Sequence, residues 1–94
     1  MIVSFACLDT ESLFYSLPVP RFRNIERVAR RKLLQVHAAT MLATLRVPPG
    51  NRLEALKGSR QGQHSLRIND QWRLCVAWHE DGAHDVEIVD YHQE

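Results

Sequence analysis

A chain of 94 residues with 45% hydrophobic side chains has room for one modest core and no second domain, and it is too apolar to be a disordered protein. A net charge of +1 excludes the broad positive coat of a purely electrostatic DNA binder. All twelve Lys and Arg nevertheless fall within residues 21–73, against three acids there (Glu26, Glu54, Asp70), and six acids with no Lys or Arg follow in 74–94, which predicts a focused polyanion site with acid groups kept nearby.

Residues 2–7 read as a first strand, and Asp9 as the N-cap of a short helix through Glu11 and Tyr15. Pro18 and Pro20 end that helix, because neither can continue it. A second helix is expected over residues 20–45. Phe22, Ile25, Ala29, Leu33 and Val36 recur at spacings of three and four and mark its buried face. Arg23, Arg27, Arg30 and Arg31 fall on the other side. That stripe is suited to a phosphate backbone or an acidic partner protein, although a solvated helix face accounts for it as well. From Leu34 onward Met41 and Leu45 join that side, which predicts fuller burial of the later turns or a bend near Gln35. The VPPGN stretch at 47–51 is a firm break.

After the break come residues 52–56, a loop flanked by Gly58 and Gly62, and a hairpin over residues 64–78. A turn at 79–82 carries an Asp-Gly signal and leads into a final strand over 84–89. The order β-α-α-β-β-β-β predicts an α+β single domain, with two N-terminal helices packed on a mainly antiparallel sheet. No apolar run approaches the roughly 20 residues that span a bilayer. The N-terminus lacks the basic and long apolar regions of a secretory signal, so the cytoplasm is the expected compartment. Cys7 and Cys75 then read as two buried, reduced thiols.

The hairpin is the most informative stretch. Leu66 and Ile68 alternate with Ser65 and Arg67, while Trp72, Leu74, Val76 and Trp78 alternate with Arg73, Cys75 and Ala77. If both apolar sets face the core, Ile68 pairs with Trp72 and Asn69-Asp70-Gln71 form a three-residue turn. Arg67 then lies directly opposite Arg73 on the other face, with Cβ atoms roughly 5 Å apart. Opposed like charges cost stability, so an anion between them explains the pair better than packing does. The competing reading pairs both arginines with acids of the last strand, such as Asp85 or Glu87. Lys57 and Arg60 precede the hairpin and would extend a phosphate grip. His64 shares the parity of Leu66, so partial burial is expected, with its ring at the site edge.

Asp90, Tyr91 and His92 offer a base, a stacking platform and a proton donor. Parity puts Val89 and Tyr91 on the arginine face and turns Asp90 and His92 inward unless the strand ends or bulges near Val89. Among His37, His64, His79, His84 and His92 there is no HExxH or i,i+4 pair, and the chain has no CxxC, so neither a metal nor another cofactor is expected.

Taken together, NRLEALKG at 51–58, GQHSLRINDQWR at 62–73 and VEIVDYH at 86–92 resemble the HigB-type toxins of the RelE superfamily of toxin–antitoxin systems. IERVARRKL at 25–33 is in keeping with that family. Ser59 stands where an acid would be expected after Lys-Gly, and His64 where an aromatic residue is frequent. The resemblance implies a RelE-like fold and a ribosome-dependent endoribonuclease that cuts mRNA in the ribosomal A site. It also implies neutralisation by a HigA-like helix-turn-helix antitoxin, whose complex would reach operator DNA. Cleavage in such enzymes needs no metal, because the 2′-OH of the RNA attacks the adjacent phosphate. By this resemblance Arg67 and Arg73 hold the phosphate, and Lys57 and Arg60 hold neighbouring phosphates or ribosomal RNA. Tyr91 stacks on a base, and Asp90 and His92 share proton transfer with His64 as a possible substitute. Two other functions fit the same fold: a ParE-like inhibitor of DNA gyrase, and a toxin that only pairs with its antitoxin to repress transcription.

Overall fold

Period-two alternation on the hairpin fixes its register: Leu66 pairs with Leu74, and Arg67 with Arg73. The computed structural model describes residues 1–91. Its strands are β1 (Glu54–Ala55), β2 (Gln63–Arg67), β3 (Trp72–His79) and β4 (Gly82–Asp90), forming one antiparallel sheet in the order β1-β2-β3-β4. The turn after β2 is the expected three-residue one, closed by the Ile68 amide donating to the Trp72 carbonyl at 3.0 Å. Asn69 stabilises it, its side-chain oxygen accepting from the amides of Gln71 and Trp72 at 2.8 and 2.7 Å. This is the local bond that makes Asn a turn former.

The helices cover one sheet face, as an α+β order requires. They are α1 (Leu8–Phe14) and α2 (Glu26–Ala38). Ala29, Leu33 and Val36 of α2 are fully buried with Leu13, Phe22, Leu66, Leu74, Val76 and Val86. Phe22 meets Trp72 edge-on, with centroids 5.4 Å apart. Each fully buried Leu in this cluster stabilises the fold by roughly 2–5 kcal/mol relative to Ala.

Four local expectations are corrected. The first strand makes only two isolated parallel bridges, Ile2 to Ala83 and Phe5 to Val86. The cause lies in β4, where Asp85 and Val86 together oppose Val76 between the pairs Cys75–Glu87 and Ala77–His84. Asp85 adopts a left-handed φ of 52° in this bulge. The bulge sends the amides of Asp85 and Val86 to the hydroxyl and carbonyl of Ser4. Asp9 is not the cap of α1, because extended Cys7 precedes a helix that begins at Leu8. Asp9 lies in the first turn, where its charge suits the helix dipole, and pairs with Arg21 at 3.3 Å.

The expected helix over 20–45 is broken in two places. It opens as a 3₁₀ turn (Pro20–Ile25) and stops at Ala38, where Ala39 turns extended and is buried. A second 3₁₀ turn (Leu42–Arg46) then folds back so that Leu45 enters the core. Asn51 holds this return. It is fully buried, and its amide nitrogen donates to the carbonyls of Leu45 (3.0 Å) and Val47 (3.3 Å) and to Gln35 Oε1 (3.2 Å). Burial of Leu45 and satisfaction of these groups override helix propensity. Arg30, expected on the outer stripe, instead folds back to donate to the Leu13 carbonyl and to pair with Glu26.

Candidate active site

The sheet face opposite the helices is built by strand parity. Glu54 pairs with Ser65, Ser65 with Cys75, Arg67 with Arg73, and Arg73 with Val89. All six side chains therefore share one face with Glu87, the partner of Cys75. The loop after β1, residues 56–62, lies against this face. Leu56, Lys57, Ser59, Arg60 and Tyr91 line a pocket of about 200 Å³ there. The pocket carries two of the three expected RNA-binding side chains and the expected stacking group.

Arg73 is the centre of the face and only 8% exposed. Its Nε donates to Ser65 Oγ at 2.8 Å, and its Nη2 donates to the Arg52 carbonyl at 2.7 Å. Nη1 stands 3.7 Å from Glu54 Oε1, and the guanidinium lies 5.5 Å from the centre of the Tyr91 ring. The planar fork of Arg satisfies these partners together, and the ring adds a cation–π contact. Arg67, directly across the ladder, turns away and pairs with Asp70 of the turn. Arg60 donates to Gln63 and pairs with Glu87 at 3.3 Å.

The expected repulsion between Arg67 and Arg73 is thus relieved by splaying them onto different carboxylates, Asp70 and Glu54. The competing expectation named Asp85 or Glu87. Asp85 instead sits in the β4 bulge, and Glu87 pairs with Arg60. The carboxyl of Asp70 is 94% exposed and that of Glu54 56%. Both carboxylate pairs are therefore weak and solvent-screened.

The expected site residues divide by position. Lys57, Arg60, Arg73 and Tyr91 come together, with Arg67 at the edge. Asp90 is the register partner of Trp72, so its side chain leaves β4 on the other face, where it accepts from Gln71 Nε2 at 3.0 Å. The Tyr91 amide donates to the Gln71 carbonyl at 2.7 Å, which ties this end of β4 to the hairpin turn. His64 pairs with Val76 on the core side and is half-buried, with its Nδ1 enclosed and without a hydrogen-bond partner among the described residues. His92 lies outside the described residues. Among the described residues no three His, Cys, Asp or Glu are grouped to hold a metal.

Glu54, Ser65 and the Arg52 carbonyl belong to the site and were not singled out from sequence. Their signal was register: once Ser65 shares a face with Arg73, its partner Glu54 must too. The two-residue β1 is too short to show alternation by itself.

Residues 19–92 match the family described as the RelE-like toxin of the type II toxin–antitoxin system HigB. The chain is 46% identical over 55 residues to Toxin HigB-1 of Vibrio cholerae, a match covering 58% of each protein. It is 34% identical over 55 residues to an uncharacterized protein of Haemophilus influenzae, covering 58% of this chain and 54% of that one. The chain therefore matches little more than half the length of these relatives.

Proposed function

The chain belongs to the HigB-like family of RelE-like toxins of type II toxin–antitoxin systems, and from that premise we propose that it is a ribosome-dependent mRNA endoribonuclease. The observation that carries the reading is the guanidinium of Arg73, nearly buried yet placed beside Tyr91, Glu54 and the basic pocket. A clamp of this kind suits a phosphate whose charge grows in the transition state, and such preorganised donors are worth most where water is excluded.

In this reading Arg73 and Arg67 hold the scissile phosphate, and Lys57 and Arg60 hold its neighbours. Tyr91 stacks on a base. The 2′-oxygen attacks the adjacent phosphorus and its proton passes to a carboxylate. Glu54 is suited to accept it, because it already contacts Arg73 and is open to solvent on its outer side. The bond from phosphorus to the 5′-oxygen breaks, leaving a 2′,3′-cyclic phosphate. The departing oxygen takes a proton from His92, which directly follows Tyr91 in the sequence, while Asp90, bonded to Gln71 on the other face, takes no part. The partners implied are a HigA-like antitoxin, the ribosome with its A-site mRNA, and operator DNA through the antitoxin complex. The cytoplasm is the compartment where these partners meet.

The test is incubation of the purified toxin with translating ribosomes and a defined mRNA. The expected products carry a cyclic phosphate and a 5′-OH, and Glu54→Gln should lower the cleavage rate on the order of 10²–10⁴-fold. Intact mRNA together with inhibited DNA gyrase would replace this reading with the ParE-like one.

A further inference from the structure

Helix α2 buries one cation that neither the hydrophobic pattern nor the proposed chemistry uses. Lys32 is 7% exposed, and its ammonium donates to Oδ1 of the fully buried Asn51. Asn51 spends its other polar group on Gln35, Leu45 and Val47, so its side chain has no freedom to turn. The next residue, Arg52, is held left-handed at φ 44°, ψ 58°, an arrangement that a non-glycine residue keeps only when its surroundings enforce it. That backbone aims the Arg52 carbonyl at Nη2 of Arg73, 2.7 Å away. Two residues further on, Glu54 contacts Nη1 of the same guanidinium.

We propose that Lys32 and Asn51 form a buried positioning device for Arg73: they lock the backbone at Arg52 so that its carbonyl fixes the guanidinium where the scissile phosphate binds. The functional consequence rests on the nuclease reading above. The positioning itself does not, because it is a statement about how Arg73 is held. An ammonium is costly to bury, and Leu or Met at position 32 would fill the same space without that cost. The device therefore trades stability for the placement of the loop at Asn51 and Arg52.

Lys32→Met removes the donor to Asn51 while keeping the volume, and Gln35→Ala removes an acceptor from Asn51 at a half-buried position that tolerates truncation. Two readouts are taken on each folded variant. The first is the NMR signal of the Arg73 Nε–H, which donates to Ser65 and should exchange slowly with water in the unsubstituted protein. The second is cleavage of mRNA on translating ribosomes, with Arg73→Ala as the reference. Displacement of a clamp by a fraction of an ångström should reduce kcat by about tenfold in Lys32→Met and less in Gln35→Ala, with KM changed by under about threefold. The Arg73 signal should shift and exchange faster in both. If Lys32→Met does not fold, Gln35→Ala decides. An unaltered Arg73 signal with unaltered kcat in a folded variant overturns the proposal. If Arg73→Ala cleaves as well as the unsubstituted protein, the nuclease role of Arg73 fails, and the NMR readout alone still decides whether Lys32 and Asn51 position it.

Discussion

Replacing Arg73 with Lys keeps the charge and removes the planar fork, and the structure sets what that should cost. The guanidinium makes two charge-assisted bonds, one to the buried Ser65 Oγ at 2.8 Å and one to the part-buried Arg52 carbonyl at 2.7 Å. A lysine ammonium is a single point that can reach one of these partners and not both. Ser65 is fully buried, so its hydroxyl has no water to turn to. Loss of one charge-assisted bond costs about 1.5–3 kcal/mol. The Glu54 contact, long and facing solvent, adds little. In a domain of this size the change should lower the melting temperature on the order of 10 °C. Urea unfolding followed through the fluorescence of half-buried Trp72 and Trp78 measures it. Ser65→Ala combined with Arg73→Met should cost less than the sum of the two single changes, because each removes the Ser65–Arg73 bond. A loss under about 0.5 kcal/mol for Arg73→Lys, or strict additivity, would refute the holding geometry assigned to Arg73.

Other consequences follow from the same contacts. Tyr91→Phe should leave cleavage nearly intact while Tyr91→Ala raises KM about 10- to 100-fold, as expected for the loss of one stacked base; equal effects of the two would show that the hydroxyl, not the ring, acts. Arg67→Leu removes repulsion worth a few tenths to about 1 kcal/mol but also an exposed pair of similar worth with Asp70. Its unfolding free energy should therefore stay within about 0.5 kcal/mol of the parent, and strong destabilisation in thermal melting would make Arg67 a structural residue. Burial above all, then the charges of Arg31 and Arg67, holds the Lys32 ammonium below its ordinary value of 10.5. The unfolded chain then binds more protons than the folded one between that lowered value and 10.5, so stability rises with pH through this window. Urea curves taken at increasing pH should show the rise in the parent and not in Lys32→Met; parallel curves would contradict it.

How much of this was legible in the sequence depends on periodicity. The hairpin register, the three-residue turn and the shared face of Arg67 and Arg73 all follow from apolar residues at alternate positions. Parity also placed Tyr91 beside Arg73 and Asp90 on the other face. What it did not reveal is where long side chains bend: Arg67 and Arg73 leave opposed positions for different carboxylates, a choice made by Asp70 in the turn and Glu54 in β1, on the far side of β2 from Arg73. The end of α2 at Ala38 carries no Gly or Pro. It is set by Asn51, thirteen residues on, whose buried amide needs the carbonyls of Leu45 and Val47. Lys32 was equally hidden, since it reads as one more cation in an arginine-rich helix until its burial is seen.

The proposed cleavage is tested by inducing the toxin in growing cells and mapping new mRNA 5′ ends, beside a strain carrying Arg73→Ala. The expected result is cuts in the reading frame of translated messages, bearing 5′-OH ends, that vanish in the variant. DNA damage without such cuts, or equal toxicity from Arg73→Ala, would contradict it.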